Sequence, residues 1–176
     1  MDALLPQAYL IGLVVILSVA AVAVGRQVWL VRRDEISLAR LERKGSDQSS
    51  SAADLYELGS AQLRKRLYGQ AADTLKQALK RAQGEAEPAE AMALIENALG
   101  FALAAQNNYK AAIPHYRKAL QAKPEYPVAL NNLAYALEKQ LKPDEALQAY
   151  ERALSLDPTN RTALKRLNRL TGSTAG

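Results

Sequence analysis

Few residues in this chain are equipped for bond-making chemistry. Its 176 residues include no cysteine and a single histidine, His115. Disulfides, thiolate catalysis and thiolate ligation of zinc or iron–sulfur clusters are thereby excluded. One histidine makes neither a metal site nor a catalytic triad, and His115 beside Tyr116 reads as a surface or packing residue. No set of nucleophile, acid and base supports a catalytic domain. The chain is therefore read as non-enzymatic, with no cofactor and no metal. What remains is recognition chemistry. Asparagine amides donate and accept at once, exposed rings make apolar anchors, and Arg161, Lys165, Arg166 and Arg169 form a run of cations with no acid among them. The net charge of +5 suits an acidic protein, an anionic membrane surface or nucleic acid. Basic residues interleaved with aromatics in a nucleic-acid motif are absent, so no nucleic-acid partner is expected.

Such groups need a scaffold, and the composition points to helices. Ala and Leu dominate, and both lose little entropy in a helix. The stretch YRKALQAKP, Tyr116 to Pro124, has the same skeleton as YERALSLDP, Tyr150 to Pro158. Ala112, Tyr116, Ala119 and Pro124 match Ala146, Tyr150, Ala153 and Pro158 at offsets of 34. An earlier copy carries Ala71, Leu75 and Ala78 at the same internal spacing, with Gln83 where the proline is due. Leu58-Gly59, Leu99-Gly100 and Leu133-Ala134 mark the front half of each copy. Gly59 to Gly100 spans 41 residues, seven beyond the period. The surplus is placed in Arg81 to Met92, as a longer hairpin or extended helix ends.

This pattern resembles the tetratricopeptide repeat (TPR), which implies an all-α solenoid of paired helices. The copies fall at about 52–85, 93–126 and 127–160, with a capping helix at 161–171. Each position has a physical reason. Gly59 and Gly100 let the two helices of a copy cross closely, beside Leu75 and Tyr116. Ala78, Ala119 and Ala153 leave room for the following helix. Pro124 and Pro158 end second helices, because proline disfavours helical geometry in the residue before it. Pro143 instead opens one, with Asp144 and Glu145 favourable in its first turn. Leu164, Leu167 and Leu170 are expected to seat the cap. The cap's cations have two readings, a solvated end or a docking surface for an acidic partner.

In this family the first helices line a concave groove. The register places Tyr56, Ser60 and Arg64 there from the first copy, and Asn97, Phe101 and Ala104 from the second. The third copy adds Val128, Asn131, Tyr135 and Lys139. Asn97 and Asn131 are candidates to hold a peptide backbone, and Tyr56, Phe101 and Tyr135 to anchor apolar side chains. The competing reading is that these residues pack between helices. The clamp that some TPR proteins use for chaperone C-termini needs Lys and Asn at the first two groove positions. Here Tyr56 and Ser60 stand there, and Asn132 and Arg166 are scattered matches, so a chaperone-tail adaptor is rejected.

The chain begins with a different kind of segment. Ala3 to Gly25 is 23 uncharged residues. As a helix these reach roughly 35 Å, enough to cross a bilayer core of about 30 Å. Tyr9 and Trp29 bracket the run as interfacial aromatics do. Ala21-Val22-Ala23 has the form of a signal-peptidase site, but no Lys or Arg precedes the apolar run. Arg26, Arg32, Arg33, Arg40, Arg43 and Lys44 follow it, so the positive-inside rule leaves the repeats on the cytoplasmic side. Residues 26–44 continue as a basic helix, either against anionic headgroups or as a solvated stalk. GSDQSSS, residues 45–51, reads as a flexible linker.

Anchor, short stalk and three repeats in this length resemble one family. The uncharged ILVVILSVAAVAVG start, the DLYELGSAQL first copy, and the NNYKAAIPHYRKAL and DEALQAYERALSLDP repeats are similar to the cyanobacterial and plastid family known as hypothetical chloroplast reading frame thirty-seven. The resemblance implies a thylakoid protein with a lumenal N-terminus and stromal or cytoplasmic repeats. It also implies protein partners and a role in assembling or stabilising photosystem I. The alternative from architecture alone is a bacterial envelope scaffold serving a secretion or cell-wall complex.

Overall fold

The computed structural model describes residues 4–45 and 50–173, and every regular element among them is an α-helix. They are α1 (Leu4–Gly45), α2 (Ala52–Arg64), α3 (Tyr68–Gly84), α4 (Ala89–Ala105), α5 (Tyr109–Ala122), α6 (Pro127–Lys139), α7 (Pro143–Leu156) and α8 (Arg161–Ser173). Residues 1–42 and 43–176 form two separate compact units.

The first unit is the body of α1, an uninterrupted helix in which Gly12–Trp29 is long and apolar enough to cross a membrane by length and composition. Leu13, Val14, Val15, Ile16, Leu17, Val19, Val22, Val24, Val28 and Trp29 are all exposed. Ala3 lies outside the described residues, as do the side chains of Pro6, Tyr9, Arg33 and Ile36. The helix passes through Arg26–Lys44 without a break.

The second unit is a tetratricopeptide solenoid. Helices pair as α2 with α3, α4 with α5 and α6 with α7. Each pair then stacks on the next through α3 on α4 and α5 on α6, and α8 closes the series on α7. A Cβ at Gly59 would stand 2.7 Å from Leu75 Cγ, and one at Gly100 would stand 2.7 Å from Tyr116 Cε1. These glycines are therefore where first and second helices meet most closely. Ala71, Leu75, Ala78, Ala112, Ala119, Ala146 and Ala153 are fully buried, and Tyr116 and Tyr150 are nearly so. Pro143 opens α7 with Asp144 and Glu145 in its first turn, and Pro127 opens α6 in the same way.

Several expectations resolve or change. The seven surplus residues make no longer hairpin. α3 has 17 residues against 14 in α5 and α7, and α4 has 17 against 13 in α6, so both helix ends are extended. The second pair accordingly starts at Ala89 rather than residue 93. α5 runs through Pro114, a position that sequence reasoning did not flag.

The expected linker is ordered at both ends, while 46–49 lie outside the described residues. Gly45 is the last residue of α1, and a Cβ there would stand 2.6 Å from Leu58. Ser51 caps α2 in a reciprocal capping box with Asp54. Asp54 also pairs with Lys44 at 2.7 Å, and the Ser50 hydroxyl donates to the Lys44 carbonyl at 2.5 Å. The cap register differs too. Ala163 is fully buried with Leu167 and Leu170 packed around it, whereas Leu164 is 48% exposed. The buried stripe is thus displaced by one residue from the leucine pattern at its start.

Candidate partner-binding face of the first helices

The residues expected along the groove separate into three groups once placed. The first lies on α2, α4 and the start of α6, and of its expected members Tyr56 lines an apolar cleft of about 220 Å³, together with Ala52, Ala53, Glu87, Ala91, Leu94 and Ile95. The extension of α4 builds this cleft, since Ala91 belongs to the part of α4 that α6 lacks. Leu94 and Phe101 are 38% and 43% exposed and lie seven residues apart, on one stripe of α4. Val128, at the start of α6, is also exposed. Ser60 is half-buried and Arg64 is exposed at the end of α2. Leu94 was missed from sequence, although its spacing to Phe101 was a readable signal.

The second group is a hydrogen-bonded floor. Asn97 is 9% exposed, and both ends of its amide are used within the fold. Its Nδ2 donates to the Tyr126 hydroxyl at 3.3 Å, and its Oδ1 accepts from Asn132 Nδ2 at 3.0 Å. Burial raises the Tyr126 phenol above its ordinary range, with nearby Tyr56 adding to the rise. Asn97 and Asn132 therefore tie α4 to α6 instead of standing free for a peptide backbone. Asn131 Oδ1 is buried without a hydrogen-bond partner among the described residues. Ala104 is half-buried and packs against the core.

The third group lies where α6 meets the cap. Tyr135 and Tyr109 meet edge to face with centroids 6.0 Å apart. Its ring also carries the Arg166 guanidinium at 4.7 Å and the Lys139 ammonium at 5.5 Å. Arg166 Nη1 donates to both carboxylate oxygens of Glu138, at 3.1 and 3.3 Å. Arg169 pairs with the same carboxylate, and the Tyr150 hydroxyl donates to it at 3.3 Å. Burial, then the Glu138 charge, pushes the Tyr150 phenol well above its ordinary range. Two of the four cap cations are thus tied to an acid on α6 that the cap sequence does not contain. Arg161 and Lys165 are exposed and make no ion pair among the described residues. Arg161, Thr162, Lys165, Arg166 and Arg169 line one depression of about 610 Å³.

His115 is placed in neither surface. Its Nδ1 stands 2.6 Å from Glu96 Oε2, whose side chain is 5% exposed, with Lys118 at 4.0 Å. The repeat offsets put Leu55 and Leu130 where Glu96 stands, and Thr74 and Ala149 where His115 stands. All four of those residues are buried, so the middle repeat holds a polar pair at a position that is apolar or nearly so in its neighbours.

Models of the tetratricopeptide repeat match residues 127–160, and a TPR repeat model matches 100–140. The ycf37 protein of Guillardia theta is 33% identical over 98% of this chain and 96% of its own length. The chain belongs to the ycf37 family. A second relative is the chloroplastic tetratricopeptide repeat domain-containing protein PYG7 of Arabidopsis thaliana, 33% identical over 92% of this chain. The chain spans about half of that protein, 53% of its length. Among solved structures, MamA of Desulfovibrio magneticus RS-1 superposes with a TM-score of 0.71 at 20% identity, covering 82% of this chain and 79% of MamA. At that identity the likeness speaks for the fold alone. The ycf37-family chain is thus a TPR protein-interaction scaffold with chloroplastic relatives.

Proposed function

We propose that this ycf37-family chain is a non-enzymatic scaffold, anchored in the thylakoid membrane, whose repeats bind protein partners and assist the assembly or stability of photosystem I. The observation that carries the reading is the joining, in one chain, of a bare apolar helix to a TPR solenoid with exposed Leu94, Phe101 and Val128. In water the ten large apolar side chains of α1 would be a liability, whereas in hydrocarbon they are at home. The cations that follow Gly25 support an N-terminus in the lumen and repeats in the stroma or cytoplasm.

Anchoring confines the solenoid to the membrane surface, which raises its effective concentration for nascent membrane subunits or another assembly factor. The apolar cleft and the Phe101 stripe hold a segment of the partner until assembly is complete. Because α1 is one continuous helix, residues 40–44 continue along its axis, beyond reach of headgroups if that axis crosses the bilayer steeply. This favours a stalk over a helix lying on lipid.

Deletion of the gene in a photosynthetic host tests the reading through the ratio of photosystem I to photosystem II. A reduced share of photosystem I, sharper under strong light, is expected. An unchanged ratio with secretion or cell-wall components recovered on the solubilised protein would replace this reading with an envelope scaffold.

A further inference from the structure

We infer that the cap end of the solenoid is a docking site for an acidic, extended segment of a protein partner. The inference rests on the scaffold reading for its partner class and adds the chemistry of the ligand. Around the junction of α6 and α8 stand Lys139, Arg161, Lys165, Arg166 and Arg169; among the described residues the acid that pairs with any of them is Glu138, and the depression's lining holds no acid. Glu138 is 13% exposed and already shared by Arg166, Arg169 and Tyr150, so it has little left to offer the other cations. The local surplus of positive charge is the complement of a carboxylate-bearing chain.

The cations are also partly preorganised. Arg166 is fixed by Glu138 on one side and by the Tyr135 ring on another. A guanidinium has five donors, and those of Arg166 beyond Nη1 remain for a ligand. Ordering cost at binding falls accordingly. Spacing adds a second match. Arg161, Lys165 and Arg169 succeed one another every four residues on α8, about 6 Å apart along the axis. Alternate side chains on one side of an extended chain are about 7 Å apart. An acidic residue at every second position therefore meets a cation at each turn of α8. The depression of about 610 Å³ is large enough for several such carboxylates.

The test uses the full chain in neutral detergent. Fluorescence anisotropy measures binding of a labelled nine-residue peptide with glutamate at alternate positions, and of its glutamine counterpart. The variant is Arg161→Glu with Lys165→Glu, both exposed, so the Glu138 network is untouched; circular dichroism checks helicity. The glutamate peptide is expected to bind, the glutamine peptide not to, and the double charge reversal to weaken binding by about tenfold or more. Equal affinity for the two peptides, no effect of charge reversal, or preference for a labelled oligonucleotide would overturn the inference. Partner capture from membranes separates the two readings. Capture lost in Phe101→Ala but intact in the charge-reversed variant would remove the acidic-segment inference and leave the scaffold. Peptide binding without capture of any membrane protein would uphold the cap site and remove the scaffold reading.

Discussion

Ala119 and Ala153 are fully buried on second helices, α5 and α7, which pack against α6 and α8 in turn. Replacing either with Leu is expected to cost about 1–3 kcal/mol in chemical denaturation, because the close-packed seam has no space for the added carbons. A stabilising change is available at Leu141. Arg66, Asn107 and Leu141 share one internal position, in the turn between helices, and all have φ near +60° (59°, 61° and 56°). A left-handed leucine is strained, and this one is 89% exposed. Leu141→Asn, the residue of the middle repeat, is expected to gain about 1 kcal/mol and to raise the denaturation midpoint. The small residues at Gly59, Gly100, Ala119 and Ala153 were legible because their period repeats. The fate of Asn97 was not, because a polar residue on a groove stripe and one bonded to the next repeat have the same spacing. Only the placement of Tyr126 and Asn132 separates them.

At the level of the helix pair, the middle repeat is the unusual one. Burying Glu96 against His115 desolvates a carboxylate, and its worth depends on the partner staying in place. Glu96→Leu with His115→Ala reproduces the third repeat's pair of Leu130 and Ala149. That double change is expected to be neutral or stabilising, whereas His115→Ala alone, which removes the hydrogen-bond partner of the buried Glu96, is expected to destabilise by about 1–3 kcal/mol. Equal losses in both would show that the pair contributes net stability. A second element-scale prediction concerns the clasp of Lys44, Ser51 and Asp54. Lys44 holds the Asp54 carboxyl below the usual aspartate range, desolvation opposes this, and hydrogen bonds from Ser51 add to it. A depressed carboxyl contributes stability above its unfolded pKa and loses it as pH falls through the folded one. As pH falls from about 5 to about 2, the thermal midpoint is expected to fall further in the native chain than in Asp54→Asn. The clasp was illegible in GSDQSSS, since its serines read as linker until Asp54 completed a capping box. The cap's acid partner was equally hidden, because Glu138 comes from another repeat.

For the whole molecule, the order of an apolar helix, its basic continuation and paired helices was legible from charge placement and periodicity. So was the place of the seven extra residues, though not their form. What periodicity could not supply was that Ala163 rather than Leu164 begins the buried stripe of α8, and the cleft made when α4 grew at its N-terminus. Both depend on how neighbouring helices meet. The central claim is that the first-helix face of a membrane-held solenoid grips photosystem I components. The most direct measurement places a photo-crosslinking residue at position 101, where Phe101 is 43% exposed, and identifies what it captures in thylakoid membranes. The account predicts adducts with photosystem I subunits or a factor that assembles them, lost when Leu94 and Val128 are both replaced by serine. Adducts confined to secretion or cell-wall proteins, or capture unaffected by those replacements, would contradict it.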